Sequence, residues 1–312
     1  MTQNPTVSGD RYHGIFPIAP TPFTEGGELD LPGQRQVVDC MIDQGVDGIC
    51  ILANYSEQFL LTDYERNTLL DVCLNHVAGR VPVIVTCSHF STRIAAERAR
   101  EAEAAGAAMV MMMPPYHGTG LRVDEAAICE HFSEVAESIS IPIMVQDAPL
   151  SGVTLSVNLL ARLATALPQV AYFKIEMPNT ADKLRSLIAI ASDVVAGPFD
   201  GEEGITLLAD LDAGATGTMP SALIPDLIKP VLEHHVIGDR QKAASDYARV
   251  LPVINFENRQ CGLRAAKAAM KAGGVIKSDA VRHPLQQLHP ATLEALLDLL
   301  RPMDPVALRW GH

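Results

Sequence analysis

A basic surplus is the first thing this chain lacks. Its 312 residues carry 24 Lys and Arg against 37 Asp and Glu, giving a net charge of −13 and a pI near 5.2. A nucleic-acid binder needs a basic face to neutralise phosphates, so the charge balance argues against that class. Long apolar runs are missing too: the longest, 104–115, is broken by Gly106 and falls short of the ~20 residues that span a bilayer. Residues 1–10 are polar, without the apolar centre of a signal peptide, and the expectation is a cytoplasmic protein with no membrane partner. No Cys-x-x-Cys pair occurs among Cys40, Cys50, Cys73, Cys87, Cys129 and Cys261. Their apolar contexts read as small buried hydrophobes in a reducing compartment. A zinc site needs clustered ligands, and neither these nor His234, His235, His283 and His289 supply them, so no metal is expected. No Gly-x-Gly-x-x-Gly follows a strand and no Walker A motif is present, which weakens dinucleotide and nucleotide chemistry.

What is present is an alternation. Short β-branched runs fall at 14–19, 48–53, 81–86, 108–113, 141–146, 170–174, 193–196 and 216–219. Between them, 32–44, 63–77, 92–105, 124–138, 156–166, 180–191 and 204–212 have helical periodicity, with 221–234 available as an eighth helix. Gly45, Gly106 and Gly214 stand where helices should end, each leading into a strand. Near-continuous apolar strands joined through helices predict a parallel sheet covered by helices. Eight such units predict a (β/α)8 TIM barrel over 12–235. Beyond it the pattern is purely helical (239–253, 259–272, 292–300), read as a C-terminal helical extension over 236–312.

Within that frame Lys174 stands out. It lies in Val170-Ala171-Tyr172-Phe173-Lys174-Ile175-Glu176, at the C-terminal end of the sixth predicted strand, where barrel enzymes keep their catalytic groups. Burying an ammonium without a partner is costly, and the same desolvation is expected to lower its pKa and free the amine as a nucleophile. Side chains alternate along a strand, so Glu176 shares its face. The other strand ends offer Asn54-Tyr55-Ser56-Glu57, Ser88-His89, Pro115-Tyr116, Gln146-Asp147 and Asp200-Gly201-Glu202-Glu203. A plainer reading stands beside each residue: Lys174 as a strand-edge lysine paired to Glu176, Ser56 as a helix N-cap, Tyr116 as packing and His89 as a loop histidine. Asp200, Glu202 and Glu203 read as a solvated helix N-terminus.

These residues together resemble the dihydrodipicolinate synthase / N-acetylneuraminate lyase superfamily. The opening 14–23 is similar to its first strand, 48–57 stands in place of its carboxylate-binding loop, and Met113-Pro114-Pro115-Tyr116 matches its Pro-Pro-Tyr turn. Phe173-Lys174 matches its imine-forming lysine, and Arg282-His283-Pro284-Leu285 its C-terminal segment. Two departures matter. Asn54 and Tyr55 replace paired threonines, with Ser56 for a glycine, and Gln146 replaces the tyrosine that shuttles protons. An amide cannot relay protons as a phenol can. Within the superfamily this pattern looks most like the L-2-keto-3-deoxyarabonate dehydratases.

The resemblance implies a lyase without cofactor, acting on a 2-keto-3-deoxy sugar acid in L-arabinose catabolism, and a homotetramer. Lys174 would form the imine with C2, and Glu176 would serve as base, acid or both. Tyr116 would be the third catalytic residue, closing the pocket or contributing across a subunit interface, while Asn54, Tyr55, Ser56, His89 and Gln146 would bind substrate, with His89 also a candidate proton carrier. A class I aldolase or condensing synthase remains the alternative. A non-catalytic sugar-acid sensor is more remote, since arginine binds carboxylates better than a buried amine does.

Overall fold

The computed structural model describes residues 12–118 and 121–312, so the polar stretch 1–10 lies outside the described residues. Strand and helix alternate as β1 (Gly14–Ile15), α1 (Leu31–Asp43), β2 (Ile49–Ile51), α2 (Asp63–Val77), β3 (Val83–Thr86), α3 (Thr92–Ala104), β4 (Met109–Met112) and α4 (Glu125–Ser138). The second half runs β5 (Ile143–Asp147), α5 (Val157–Ala166), β6 (Val170–Ile175), α6 (Thr180–Ala191), β7 (Gly197–Asp200), α7 (Leu207–Asp212), β8 (Gly217–Thr218) and α8 (Pro225–Val236). All eight strands pair in parallel, in the order β2 to β8 and then β1. The ring closes where the chain after β1 bridges β2: Ile18 pairs with Cys50, and the Cys50 N–H donates to Pro17 O at 2.9 Å. This is the (β/α)8 barrel the sequence predicts.

Strand alternation divides the core into two parts. Ile49, Ile51, Val83, Val85, Val110, Val145, Phe173 and Ile175 face the helices. Their alternates Phe16, Cys50, Ile84, Met109, Met111, Met144, Tyr172 and Phe199 fill the barrel interior. Helix starts are capped as the sequence suggests. Thr62 and Glu65 form a reciprocal capping box on α2, and Asp124 and Ser156 accept from the first turns of α4 and α5. Gly45, Gly106 and Gly214 take positive φ (75°, 96° and 101°) past the ends of α1, α3 and α7.

Three elements differ from expectation. The seventh strand is not 193–196 but Gly197–Asp200. Val194–Ala196 is the more β-branched stretch, yet Gly197 and Pro198 pair with Tyr172 and Phe173 because only a residue without Cβ fits beside the Tyr172 ring, 2.8 Å from where one would stand. The helix expected at 204–212 begins only at Leu207, after left-handed backbone at Glu202 and Glu203. The helix expected at 259–272 is split: α9 (Arg240–Phe256) runs into a π-helical turn (Glu257–Cys261), and α10 (Arg264–Ala272) starts after Gly262. Helices α11 (Pro290–Leu300) and α12 (Val306–Arg309) complete the chain. We propose the 235/236 boundary as the division between barrel and extension; α9 packs against α8 across it.

Among the described residues no helix is long and apolar enough to cross a membrane. All six cysteines are free, five of them buried and Cys129 half-buried.

Candidate active site

The site is built on the last inward-facing positions of the strands. On β6, Phe173 and Ile175 face the helices, so Tyr172 and Lys174 face the barrel axis. Tyr172 belongs to the apolar interior, and Lys174 stands one layer above it, 5% exposed. Lys174 pairs with Gln146 on β5 and Phe199 on β7. Its ammonium lies 2.6 Å from Glu176 Oε1, and the same oxygen accepts from Gln146 Nε2 at 2.8 Å. Gln146 is buried and its Oε1 has no partner, leaving an acceptor for an incoming O–H or N–H. Glu176 lies directly over Gly201, where a Cβ would come within 2.3 Å of Glu176 Cγ. The strand pairing expected of Lys174 and Glu176 is therefore present.

The electrostatics differ from the sequence expectation. Burial does push the Lys174 ammonium toward the neutral form. The Glu176 carboxylate, by charge and hydrogen bond, outweighs it, so the amine is held above its ordinary value. The resting site holds an ion pair. The amine becomes a nucleophile by passing its proton to the partner 2.6 Å away.

The loop after β2 forms a short 3₁₀ turn, Asn54–Ser56. Asn54 Oδ1 accepts from Gln58 Nε2 at 2.7 Å, so what the Asn54 amide has left to offer is its nitrogen, a donor. Tyr55 is half-buried against the barrel interior and beside the Glu203 carboxyl. Ser56 departs from its expected substrate contact. Its Oγ donates to Ala19 O at 2.6 Å and accepts from Ala53 N at 3.2 Å, while its backbone N–H donates to Ala53 O. Its one hydroxyl proton is committed, so Ser56 shapes the loop and its side chain has none left to offer a carboxylate.

Tyr116 and His89 line a neighbouring cleft of about 510 Å³ with Gln58, Phe59, Phe90 and His117, a cleft that Lys174, Glu176 and Gln146 do not line. Tyr116 meets the Phe59 ring edge-on at 6.3 Å, and burial pushes its hydroxyl up to about 12. His89 Nδ1 accepts from Ser91 N at 2.9 Å, and burial together with Arg98 lowers its pKa, which keeps the ring neutral. The structure thus brings Lys174, Glu176 and Gln146 into direct contact, with Tyr55 at the same strand ends. It does not bring Tyr116 or His89 onto the lysine.

The segment after β7 is the largest correction. Read as a solvated helix start, it is buried: Asp200 is 1% and Glu203 6% exposed, and only Glu202 is partly open. Asp200 Oδ2 accepts from Thr218 Oγ1 at 2.5 Å. Burial and the adjacent Asp210 carboxyl raise its pKa well above the usual carboxylate range. Glu203 Oε2 accepts from Asn258 Nδ2 at 2.8 Å.

Lys267 escaped notice in the sequence, and Glu57 was named there only as the end of the polar stretch after the second strand, without its partner. Their side chains are fully buried and paired at 2.5 Å, tying the 3₁₀ loop to α10. Both Lys267 and Arg282 lie over the Phe23 ring, at 4.6 and 4.3 Å. The available signal was a lone lysine within Ala265-Ala266-Lys267-Ala268-Ala269-Met270, a helix stretch too apolar to face water.

The chain is 56% identical to an L-2-keto-3-deoxyarabonate dehydratase from Azospirillum brasilense, over 98% of this chain and 99% of that protein. It is 29% identical to 4-hydroxy-tetrahydrodipicolinate synthase 2 from Streptomyces coelicolor, over 88% and 90% of the two chains. Among solved structures it is similar to one described as a dihydrodipicolinate synthetase from Pseudomonas aeruginosa (TM-score 0.88, 31% identity, 93% of this chain and 99% of that one). It is also similar to YagE, a prophage protein of E. coli K12 from the dihydrodipicolinic acid synthase family, solved in complex with pyruvate (TM-score 0.86, 26% identity, 94% and 99% coverage). Residues 11–302 match the dihydrodipicolinate synthetase family, and the chain belongs to it.

Proposed function

We propose that this protein is a Schiff-base dehydratase that converts L-2-keto-3-deoxyarabonate to 2-oxoglutarate semialdehyde. The observation that carries the reading is the buried Lys174–Glu176 pair at 2.6 Å, with an amide, Gln146, in place of a phenol on the same carboxylate. The 56% identity to the Azospirillum enzyme supports the substrate.

Glu176 takes the ammonium proton, and the neutral amine adds to C2 of the keto acid. Loss of water gives the iminium, an electron sink for C3. Glu176 lies next to the imine nitrogen and is placed to move the C3 proton. Departure of the C4 hydroxyl and tautomerisation through C5, followed by hydrolysis, release the semialdehyde. Gln146 Oε1 accepts a hydrogen bond from a substrate hydroxyl. The Asn54 amide and the leading N–H groups of the 3₁₀ turn hold the carboxylate, in a loop positioned by Ser56 and by Glu57–Lys267. Tyr116 and His89 line the neighbouring cleft. The imine supplies the electron sink, so the reaction calls for no metal or organic cofactor. We place the enzyme in the cytoplasm as a homotetramer.

Product identification tests the proposal. Purified protein given 2-keto-3-deoxy-L-arabonate should release 2-oxoglutarate semialdehyde. Accumulation of pyruvate and glycolaldehyde would mean an aldolase instead.

A further inference from the structure

The C-terminal extension reaches the mouth of the barrel through Lys267 on α10 and Arg282 in the segment before α11. We propose that both are positioning residues for the substrate carboxylate: they fix Glu57 and the loop that carries Asn54, and thereby make the site select 2-keto acids over uncharged ketones. The inference rests on the imine reading above, with the carboxylate held by this loop, and extends it to two residues that act through the loop.

Glu57 is where the loop is held. It closes the 3₁₀ turn with left-handed backbone (φ 58°, ψ 36°), which is strained for a residue with a Cβ and persists where the surroundings impose it. Its side chain is fully buried. Glu57 Oε1 accepts from Lys267 Nζ at 2.5 Å, and Oε2 accepts from the Arg282 backbone N–H at 3.3 Å. Both carboxylate oxygens are thus taken by the extension.

Arg282 joins the pieces around that residue. Its guanidinium donates to Gly27 O at 2.8 Å, in the loop after β1, and to Leu60 O at 2.9 Å, in the loop after β2. It also forks onto the Glu65 carboxylate in the first turn of α2, through Nη1 at 2.8 Å and through Nη2. The same guanidinium and the Lys267 ammonium lie over the buried ring of Phe23, beyond β1. The 19–23 segment in turn holds the 3₁₀ turn: Thr21 Oγ1 donates to Ser56 O at 2.8 Å, and Ser56 Oγ donates to Ala19 O. Asn54, whose amide nitrogen is left to donate, therefore sits in a loop fixed at both Ser56 and Glu57.

Stability alone does not call for this arrangement. Taking two charges out of water costs about as much as their attraction returns, and well-packed apolar residues of similar volume commonly hold a fold as well. A buried ion pair adds a single geometry, because its hydrogen bonds are directional where apolar contacts tolerate sliding. That geometry matters most for the part of the substrate the loop holds. The carboxylate carbon is bonded to C2, so donors held in place set the C2 carbonyl against the Lys174 amine. A shift of about 1 Å in such donors costs ~10²-fold in rate.

Trapping of the Lys174 imine by cyanoborohydride, timed separately with pyruvate and with pyruvamide, reads this selection. Pyruvamide keeps the ketone and the shape and lacks the charge. Two variants leave the net charge of the protein unchanged. Glu57→Leu combined with Lys267→Met replaces the pair by apolar residues of similar size, and Arg282→Lys keeps the cation and loses the fork. In each, pyruvate trapping should slow ~10²-fold and pyruvamide trapping stay within about threefold, with unfolding still cooperative. A folded variant of either kind that traps pyruvate within about threefold of wild type would overturn the proposal. An equal loss with both compounds would overturn it too, marking a general structural role. If the double variant does not fold, Arg282→Lys decides by the same comparison. Wild-type protein that traps neither compound would instead bring down the imine reading, and this proposal with it.

Discussion

Replacing Glu176 by glutamine separates two things the residue does for Lys174, and the two respond in opposite directions. The carboxylate holds a buried ammonium at 2.6 Å. Without it, burial is opposed only by weaker charges such as that of Glu203, and the pKa of the amine falls. The stability cost has a ceiling. A buried lysine left unpaired can always release its proton, and at pH 7, for an ordinary pKa of ~10.4, this takes about 5 kcal/mol. Glutamine Oε1 can still accept from the amine, so the expected loss is ~2–4 kcal/mol, within the range for breaking a buried pair. The chemistry should split. Imine formation needs neutral amine, so borohydride trapping with 2-keto acid should persist in Glu176→Gln, with its pH midpoint moved to lower pH. Release of semialdehyde should fall ~10²–10⁴-fold, the usual consequence of losing a positioned acid–base group. Denaturant unfolding, trapping against pH and product assays measure the three effects. Turnover within about threefold of wild type, or a trapping midpoint moved to higher pH, would refute the reasoning.

Other substitutions address neighbouring parts of the site. Gly201→Ala places a Cβ 2.3 Å from Glu176 Cγ and 3.0 Å from Ile175 O. It should displace the carboxylate and lower kcat by ~10²-fold with the fold intact by circular dichroism; near-normal kcat would show that Glu176 is not held there. Asp200→Asn removes a carboxyl whose folded pKa is raised well above the usual range by burial and Asp210. A raised acid binds a proton in the folded state that the unfolded chain has released, so wild-type stability falls as pH rises from the ordinary carboxylate range toward the folded value. The variant escapes that loss and should be more stable at pH 8 by ~1 kcal/mol or more, with the gap narrowing near pH 4; an equal or lower unfolding midpoint at pH 8 counts against it.

The repeated strand–helix units, their glycine stops and the inward lysine were legible because each depends on local pattern: period two, period 3.6, and a charge in an apolar strand. The seventh strand was not. Gly197-Pro198 carries turn residues, and only the ring of Tyr172 explains why the pairing segment lies there. The π-helical turn was hidden for a similar reason, since 259–272 keeps helical periodicity while Gly262 interrupts it. Lys174 and Glu176 could be placed on one face by counting. The direction of the Lys174 pKa could not, because it depends on whether a 2.6 Å contact outweighs burial. Glu203 and Asp200 read as solvent-facing because acidic runs commonly are, and their burial comes from Tyr55, Asn258 and Asp210, residues distant in sequence or hidden in a helix. Ser56 was chosen for its hydroxyl, which the fold had already committed to Ala19.

The central claim is that Lys174 carries the covalent intermediate. Borohydride added during turnover of 2-keto-3-deoxy-L-arabonate, followed by peptide mass spectrometry, tests it most directly. The account predicts a reduced adduct on the peptide containing Lys174, and neither adduct nor turnover in Lys174→Ala. An adduct on another lysine, or sustained turnover in Lys174→Ala, would contradict it.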